Sequence, residues 1–494
     1  MKDKKQNKRI NGGHRLLFFC ILCLFGLYVA VSYAEEQPQR EQSKTKVILL
    51  HTDNLTYDQY RHPGAQILTG NVQFQHDGVL MYCDSACFYE ATNSFDAFGH
   101  VKMVQGDTLD LVGDMLLYNG LDQLARVRHN VVLTHRESKL YTDSLDYDRL
   151  YELGYFFEGG KLVDKDNVLT SDWGQYSPPT RQAVFNYNVK LENPKFTLIS
   201  DTLNYNTLTS MAEIVGPSNI DSGDNHIYSE SGFYNTQTEE AILLDRSIVT
   251  NKGRKMVGDS LYYDSKSGVG EGFRNVVYTD EVNKNMLTGN YCYYNDSTGY
   301  SMATDSAVAI DYSQRDTMYM HADTFKVYTF YMDTDSMYRE VRGYHKVRSY
   351  RMDVQSVCDS LVFDSRDTCI TMYRDPIVWN GGQQVLGEVI KVYLNDSTID
   401  RIHVIDQTLS VERIDSVHYN QVAGKEMTSY FRDGEMYETW VNGNVYVDYY
   451  MFDDDSLMIG LNYTETTELK LFMKERKMEK IWMPASTGVI YPIV

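Results

Sequence analysis

The chain has 494 residues with 47 Lys and Arg against 68 Asp and Glu, a formal net charge of −21, which excludes a groove built to track nucleic-acid phosphates. Seven cysteines and nine prolines in that length fit neither a disulfide scaffold nor a Pro-rich disordered chain. Forty tyrosines point toward pleated, half-wet surfaces.

At the start, Lys2, Lys4, Lys5, Lys8, Arg9 and Arg15 precede an apolar run from Leu16 to Val31, followed by the small residues of Ser32-Tyr33-Ala34. This is the layout of an export signal cleaved before Glu35. The run falls short of the roughly 20 residues a spanning helix needs, and an uncleaved anchor is the alternative. No small residues precede Cys20 or Cys23 as a lipoprotein signal requires, so lipidation is not expected. Loss of residues 1–34 removes six basic and one acidic residue, leaving 41 against 67, a net of −26. Residues 35–46, rich in Glu, Gln and Lys, read as a mobile leader.

From residue 47 a repeat organises the chain. Asp-[Ser/Thr/Asn]-Leu-x-Tyr-[Asp/Asn] recurs at Asp53, Asp143, Asp201 and Asp259, with weaker copies at Asp84, Asp114, Asp172, Asp323 and Asp359. From Asp53 to Asp201 the starts step by 31, 30, 29, 29 and 29 residues. Between them falls a second signature, as in Gly70-Asn71-Val72, Gly99-His100-Val101, His129-Asn130-Val131, Arg274-Asn275-Val276 and Gly443-Asn444-Val445, each opening another apolar alternation. One repeat therefore holds at least two strands, with Gly and Asn supplying turns. Leu and Tyr of the first motif stand two apart and share a face, while the polar residue between them faces water. The predicted fold class is all-β: an elongated antiparallel jellyroll or solenoid-like stack of tandem 29-residue repeats, open at its ends.

After about Asp305 the period loosens, so residues 47–300 and 301–494 read as a regular array and its looser continuation. At the end, residues 469–473 and 478–483 flank a charged Lys474-Glu475-Arg476-Lys477 and predict a terminal hairpin, with a helix as the alternative. Cys83, Cys87, Cys292, Cys358 and Cys369 are too scattered for a framework and read as small buried hydrophobes. Cys83 and Cys87 would share one face of a strand about 13 Å apart, beyond bridging distance.

Asp-Ser-Leu-x-Tyr-Asp strands alternating with Gly-Asn-Val strands behind a signal sequence resemble the OstA/LptA family of lipopolysaccharide transport proteins, most nearly its long, Bacteroidetes-type OstA-like members. The resemblance is clearest over residues 47–300, and Trp482-Met483-Pro484 and Gly488-Val489-Ile490-Tyr491-Pro492 look like that group's closing segment. It implies a periplasmic, non-enzymatic protein, with membrane association left open, whose apolar groove shields the acyl chains of lipid A. It also implies partners: lipopolysaccharide, other transport proteins joined through edge strands, and self-association end to end, which unpaired terminal strands would permit. The chain is longer than the single short domain typical of the family.

Leu55, Tyr57, Val72, Phe74, Val101, Met103, Leu116, Tyr118, Val131, Leu133, Leu145 and Tyr147 are the positions expected on the apolar inner face, where lipid would lie. A closed core between two sheets is the competing account, since a pattern defines a face and not the gap between faces. Each repeated Asp is expected to accept hydrogen bonds from turn backbone at a strand entrance, a divalent-ion ladder being the lesser alternative. No cofactor and no catalytic residue is expected: G-x-S-x-G, H-E-x-x-H and phosphate-loop motifs are missing, and Gly268-x-Gly270-x-Gly272 lacks a strand-to-helix setting. His51, His129, His135, His345, His403 and His418 are dispersed and read as solvent-facing or turn residues. The alternatives to lipid transport are a structural or adhesive repeat scaffold with a closed core and, less favoured, a glycan-active solenoid enzyme.

Overall fold

Val, Tyr, Phe, Leu and Thr at alternate positions suit pleated strands, and a computed structural model shows 36 of them joined antiparallel into one sheet. It describes residues 45–492 apart from 283, 296, 314–315, 333, 353, 381, 396–397, 433–434, 454, 456 and 475–476. The expected signal segment and nearly all of the leader lie outside the described residues. Among the described residues no helix is long and apolar enough to cross a membrane.

The two sequence signatures turn out to mark one feature. Gly70-Asn71 does not separate two strands. It sits inside the strand Gln66–His76, where both residues take positive φ (84° and 46°) and the pairing register jumps from Thr69 to Val72. Two consecutive left-handed residues insert a bulge that bends the strand without ending it. The same pair recurs at Gly99-His100, His129-Asn130, Tyr187-Asn188, Arg274-Asn275, Asp305-Ser306, His345-Lys346, Asp406-Gln407 and Gly443-Asn444. On the intervening strands the corner falls at the repeated Asp, as in Val79–Tyr89, where the register shifts between Tyr82 and Ser85 around Asp84. The period of 29 residues is thus the distance from one corner to the next but one.

Each long strand is consequently V-shaped, shorter strands pair along one limb only, and stacking them folds the single sheet along its corners into two facing limbs. Limb one contains residues 66–69, 85–89 and 94–98; limb two contains 72–76, 79–83 and 101–105. Their inner faces meet: Phe74 of limb two stacks on Phe95 of limb one with ring centroids 4.1 Å apart. The bulge also resets the alternation of faces, because one extra residue reverses a period of two. Cys83 therefore points inward and is buried, whereas Cys87 lies on the other face and is half-buried, which corrects the expectation that they share a face. All five cysteines of the described region are free. Near the end, Met458–Lys474 and Lys477–Trp482 pair as an antiparallel hairpin.

The inner lining is ordered in rows of direct cross-strand partners, which are the unit of sheet stabilisation. In limb one the motif tyrosines alternate with small residues: Tyr118, Ala125, Tyr147, Gly154, Tyr176, Ala183, Tyr205, Ala212, Tyr234, Ala241, Tyr263, Gly270 and Tyr294 are successive partners. Each ring from Tyr118 to Tyr294 lies beside a residue with almost no side chain, which leaves the ring room between neighbouring strands roughly 4.8 Å apart. In limb two the facing row is Leu111, Leu133, Leu140, Leu162, Leu169, Leu191 and Leu198, all 0–2 % exposed.

Candidate functional site

The mouth of the V, away from the corners, is where a ligand could enter, and over the first half polar latches close it. His76, at the limb-two end of Gln66–His76, faces the Tyr118 hydroxyl across the mouth with Nδ1 and oxygen 2.6 Å apart. The Arg149 guanidinium donates to the same hydroxyl at 2.5 Å and to the carbonyl oxygen of His76 at 3.1 Å. Two repeats on, His135 meets the Tyr176 hydroxyl at 2.8 Å. Further still, the Tyr205 hydroxyl donates to Asp164 at 2.8 Å, and Asn167 donates to Tyr205 and to Thr236 at 2.9 Å each. Gln123 to Asp77, Gln105 to Glu152 and Lys195 to Glu239 tie the turns above. Buried polar groups favour finding partners, and most of these bonds cross from one limb to the other and so hold the limbs together, although Arg149 also bonds within its own limb and Gln105 Oε1 and Arg149 Nε are left without a partner among the described residues.

Burial pushes the His76 pKa down, with the Arg149 charge adding to it against the pull of Asp77. Burial also lowers that of His135, helped by Arg136 and Arg181. Both rings are thus held neutral. His135, expected in a turn or in solvent, is instead 7 % exposed, because it ends an inward-facing register. The same geometry overturns the picture of tyrosines with wet hydroxyls: Tyr118, Tyr147 and Tyr205 are 0–2 % exposed. Two cavities of about 270 and 450 Å³ lie on this seam, sharing His135, Arg136 and Arg181, and their walls are largely polar.

Past Ile227 the interior changes. The limb-two row continues through Val249, Met256, Tyr278, Leu287, Ala309 and Met320, and burial falls from complete at Leu198 to partial at all of these. In limb one the tyrosine and small-residue alternation stops at Tyr294, and its successors Ser301, Val327, Val341, Phe363 and Ile370 are only partly buried. Next to the corners the lining stays buried, at Val276, Cys292, Ala303, Ala307, Ala322 and Phe325. The cross-section is thus buried at its apex and part-buried toward both rims, the outline of a shallow trough with an apolar floor.

Of the twelve positions predicted to line the inner face, ten come together: Val72, Phe74, Val101, Met103, Leu116, Tyr118, Val131, Leu133, Leu145 and Tyr147 lie in one core, each 0–2 % exposed. That core is sealed by side chains from both limbs. Leu55 and Tyr57 are different, at 53 % and 57 % exposed. Leu55 partners the buried Leu68, so it faces inward by register, but it lies on the first described strand of limb one with no layer beyond it among the described residues. The trough residues of the second half were missed in the sequence, where the looser period hides them. Their one signal is the replacement of motif tyrosines by Val327 and Phe363.

Of the repeated Asp residues, Asp53, Asp172 and Asp259 stand immediately before a strand, as expected, whereas Asp84, Asp114, Asp143, Asp201, Asp323 and Asp359 lie inside one. They stand at the corners and accept hydrogen bonds from the corner side chains of a neighbouring strand: Asn71 to Asp53 at 2.9 Å, Asn130 to Asp114 at 2.7 Å, Asn188 to Asp172 at 2.6 Å and Asn275 to Asp259 at 2.9 Å. His100 meets Asp84 at 2.7 Å in the same way. Among the described residues no group of three or more His, Cys, Asp or Glu could hold a metal ion.

No curated protein matches the chain. Residues 44–201 and 196–259 match the family model described as OstA-like protein, which takes in the Leu row, the Tyr row as far as Ala241, the Asn–Asp corners up to Asn188 and the latched mouth. The likeness of this chain to the OstA-like protein family thus spans residues 44–259.

Proposed function

We propose that this chain is a non-enzymatic lipid-transport protein of the periplasm that holds the acyl chains of lipopolysaccharide in the trough of its second half. The observation that carries this reading is the loss of burial along one continuous row, from Leu198, fully buried, to Leu287, Ala309 and Met320, which face inward but are part-exposed. Apolar side chains left half in water along a trough are stabilised by covering them, and each methylene withdrawn from water contributes about 0.8 kcal/mol. The OstA-like match supplies the transport context. The ends support assembly through edge strands: Ile48–His51 and Asn54–Tyr57 both pair with Gln66–His76 on one side, and Ile48, Leu50, Leu55 and Tyr57 are about half-exposed there.

Photo-crosslinking side chains at Met320, Phe363 and Ile370 in cells should capture lipopolysaccharide, whereas the same group at outward-facing Lys326 or Thr371 should not. Equal capture at both sets, or none at the trough, overturns the reading. A sealed scaffold is the second reading, and the complete burial of Phe74, Leu133 and Leu145 favours it for the first half. It expects no captured lipid at any position.

A further inference from the structure

The outer face of limb one carries, over its last strands, a surface that the trough does not explain. Two rows of direct register partners cross it from Val389–Asn395 to Lys477–Trp482. One runs Tyr393, Arg401, Tyr430, Glu438, Phe472, Lys480, and the other Lys391, His403, Thr428, Trp440, Lys470, Trp482. Of these twelve positions five are aromatic, four are Lys or Arg and one is a carboxylate. The cations lie on the rings: Lys470 Nζ is 4.3 Å from the centre of Trp440 and 5.3 Å from that of Trp482, Arg401 is 4.1 Å from Tyr393, and Lys480 is 5.6 Å from Phe472. Glu438 accepts a hydrogen bond from Trp440 Nε1 at 2.6 Å, and His403 is engaged by Glu426 at 2.5 Å. Trp440 and Trp482 remain 36 % and 42 % exposed.

We propose that this patch docks the protein on an anionic lipid bilayer. Tryptophan and tyrosine favour the membrane–water interface, where an apolar ring and a polar edge are both accommodated, and lysine and arginine beside them meet lipid phosphates. A protein partner fits less well, since protein interfaces enrich aromatics and arginine but deplete lysine, and three of the four cations here are lysines. The charge argument sets the orientation: a chain of net charge −21 is repelled by an anionic surface, and this patch reverses that locally. The match to the OstA-like family ends at residue 259, so the patch is no part of the matched segment. Docking by the outer face would bring the trough, and not the sealed half, to the bilayer.

The chain holds four tryptophans, Trp173, Trp379, Trp440 and Trp482, which makes the test local. Full-length protein is mixed with vesicles of phosphatidylcholine alone, or with roughly one part in three phosphatidylglycerol, carrying brominated acyl chains. Single-tryptophan variants should show quenching and a blue shift at Trp440 and at Trp482 on the anionic vesicles alone, with Trp173 and Trp379 unchanged. Lys470→Gln with Lys480→Gln should raise the lipid concentration for half-quenching by about thirtyfold while leaving thermal unfolding in place. Quenching that is equal on neutral vesicles, equal at Trp173 and Trp379, or insensitive to the lysine changes overturns the proposal. So does a concentration-dependent dimer that shields both tryptophans and is lost in the lysine variant, which would assign the patch to a second copy of the chain. Lipid capture at Met320 and Phe363 reports the trough separately, so either result can fail alone.

Discussion

Asn130 donates its side-chain amide to Asp114 across a strand boundary at 2.7 Å, and this pair joins the two sequence signatures into one structural unit. Asn130 holds φ at 53°, a left-handed conformation that Asn tolerates better than most residues, and its partner stands at the corner of the preceding strand. Asn130→Ala is expected to lower stability by about 1–3 kcal/mol, combining a strained φ with a lost charge-assisted hydrogen bond. In a double-mutant cycle with Asp114→Ala by denaturant unfolding, the two losses should be less than additive. Additive losses would mean that the pair does not act as a unit.

The latches make stability depend on pH. Burial lowers the folded-state pKa of His76 and His135 below 6.5, so the unfolded chain binds protons that the folded chain refuses. Stability from these residues is full above the unfolded pKa and is lost as pH falls through it toward the depressed folded values. The exposed His100–Asp84 pair acts in the opposite sense and is screened by solvent. The denaturation midpoint should fall between about pH 7.5 and pH 5.5, and less so in a His76→Gln, His135→Gln variant. A midpoint that rises on acidification contradicts the latch geometry.

Tyr118→Phe isolates the latch from the packing. The ring stays while Arg149 and His76 lose the hydroxyl they share, inside a region from which water is excluded. An unmet buried donor costs about 1–3 kcal/mol, and a calorimetric Tm shift of the matching sign should report it. No shift would place the hydroxyl bond outside the stabilising set.

The rows predict a gradient of core costs. Leu133→Ala, inside the leucine row and 1 % exposed, should cost about 2–5 kcal/mol, whereas Leu55→Ala at the uncovered end should stay within about 0.5 kcal/mol. Equal costs at the two sites, measured by urea unfolding, would show that the first strands are covered in solution.

Overpacking tests the alternation of rings and small residues. Ala212 is fully buried between its register partners Tyr205 and Tyr234. Ala212→Leu should destabilise by about 1–3 kcal/mol, and adding Tyr234→Ala should recover part of the loss by restoring volume. A neutral Ala212→Leu would mean that the rings have room to move apart.

The sequence by itself determined the all-β class, the 29-residue period and the inward side of the strand segments that carry the motifs, because a period of two in apolar residues and a fixed spacing of turn formers are local properties of the chain. Leu116 and Tyr118, or Leu145 and Tyr147, were readable as face-sharing pairs for that reason. Whether that face is covered was decided only in the tertiary structure. Gly70-Asn71 read as a turn, yet it bends a strand that continues, since the choice between turn and bulge rests on pairing to neighbours far along the chain. The closure of the mouth depends on His76 reaching Tyr118 across 42 residues and Arg149 reaching His76 across 73. Its opening depends on where the facing rows cease to fill the space between the limbs. A gap between two surfaces is a property of their separation, and separation is set by side chains that meet from distant strands.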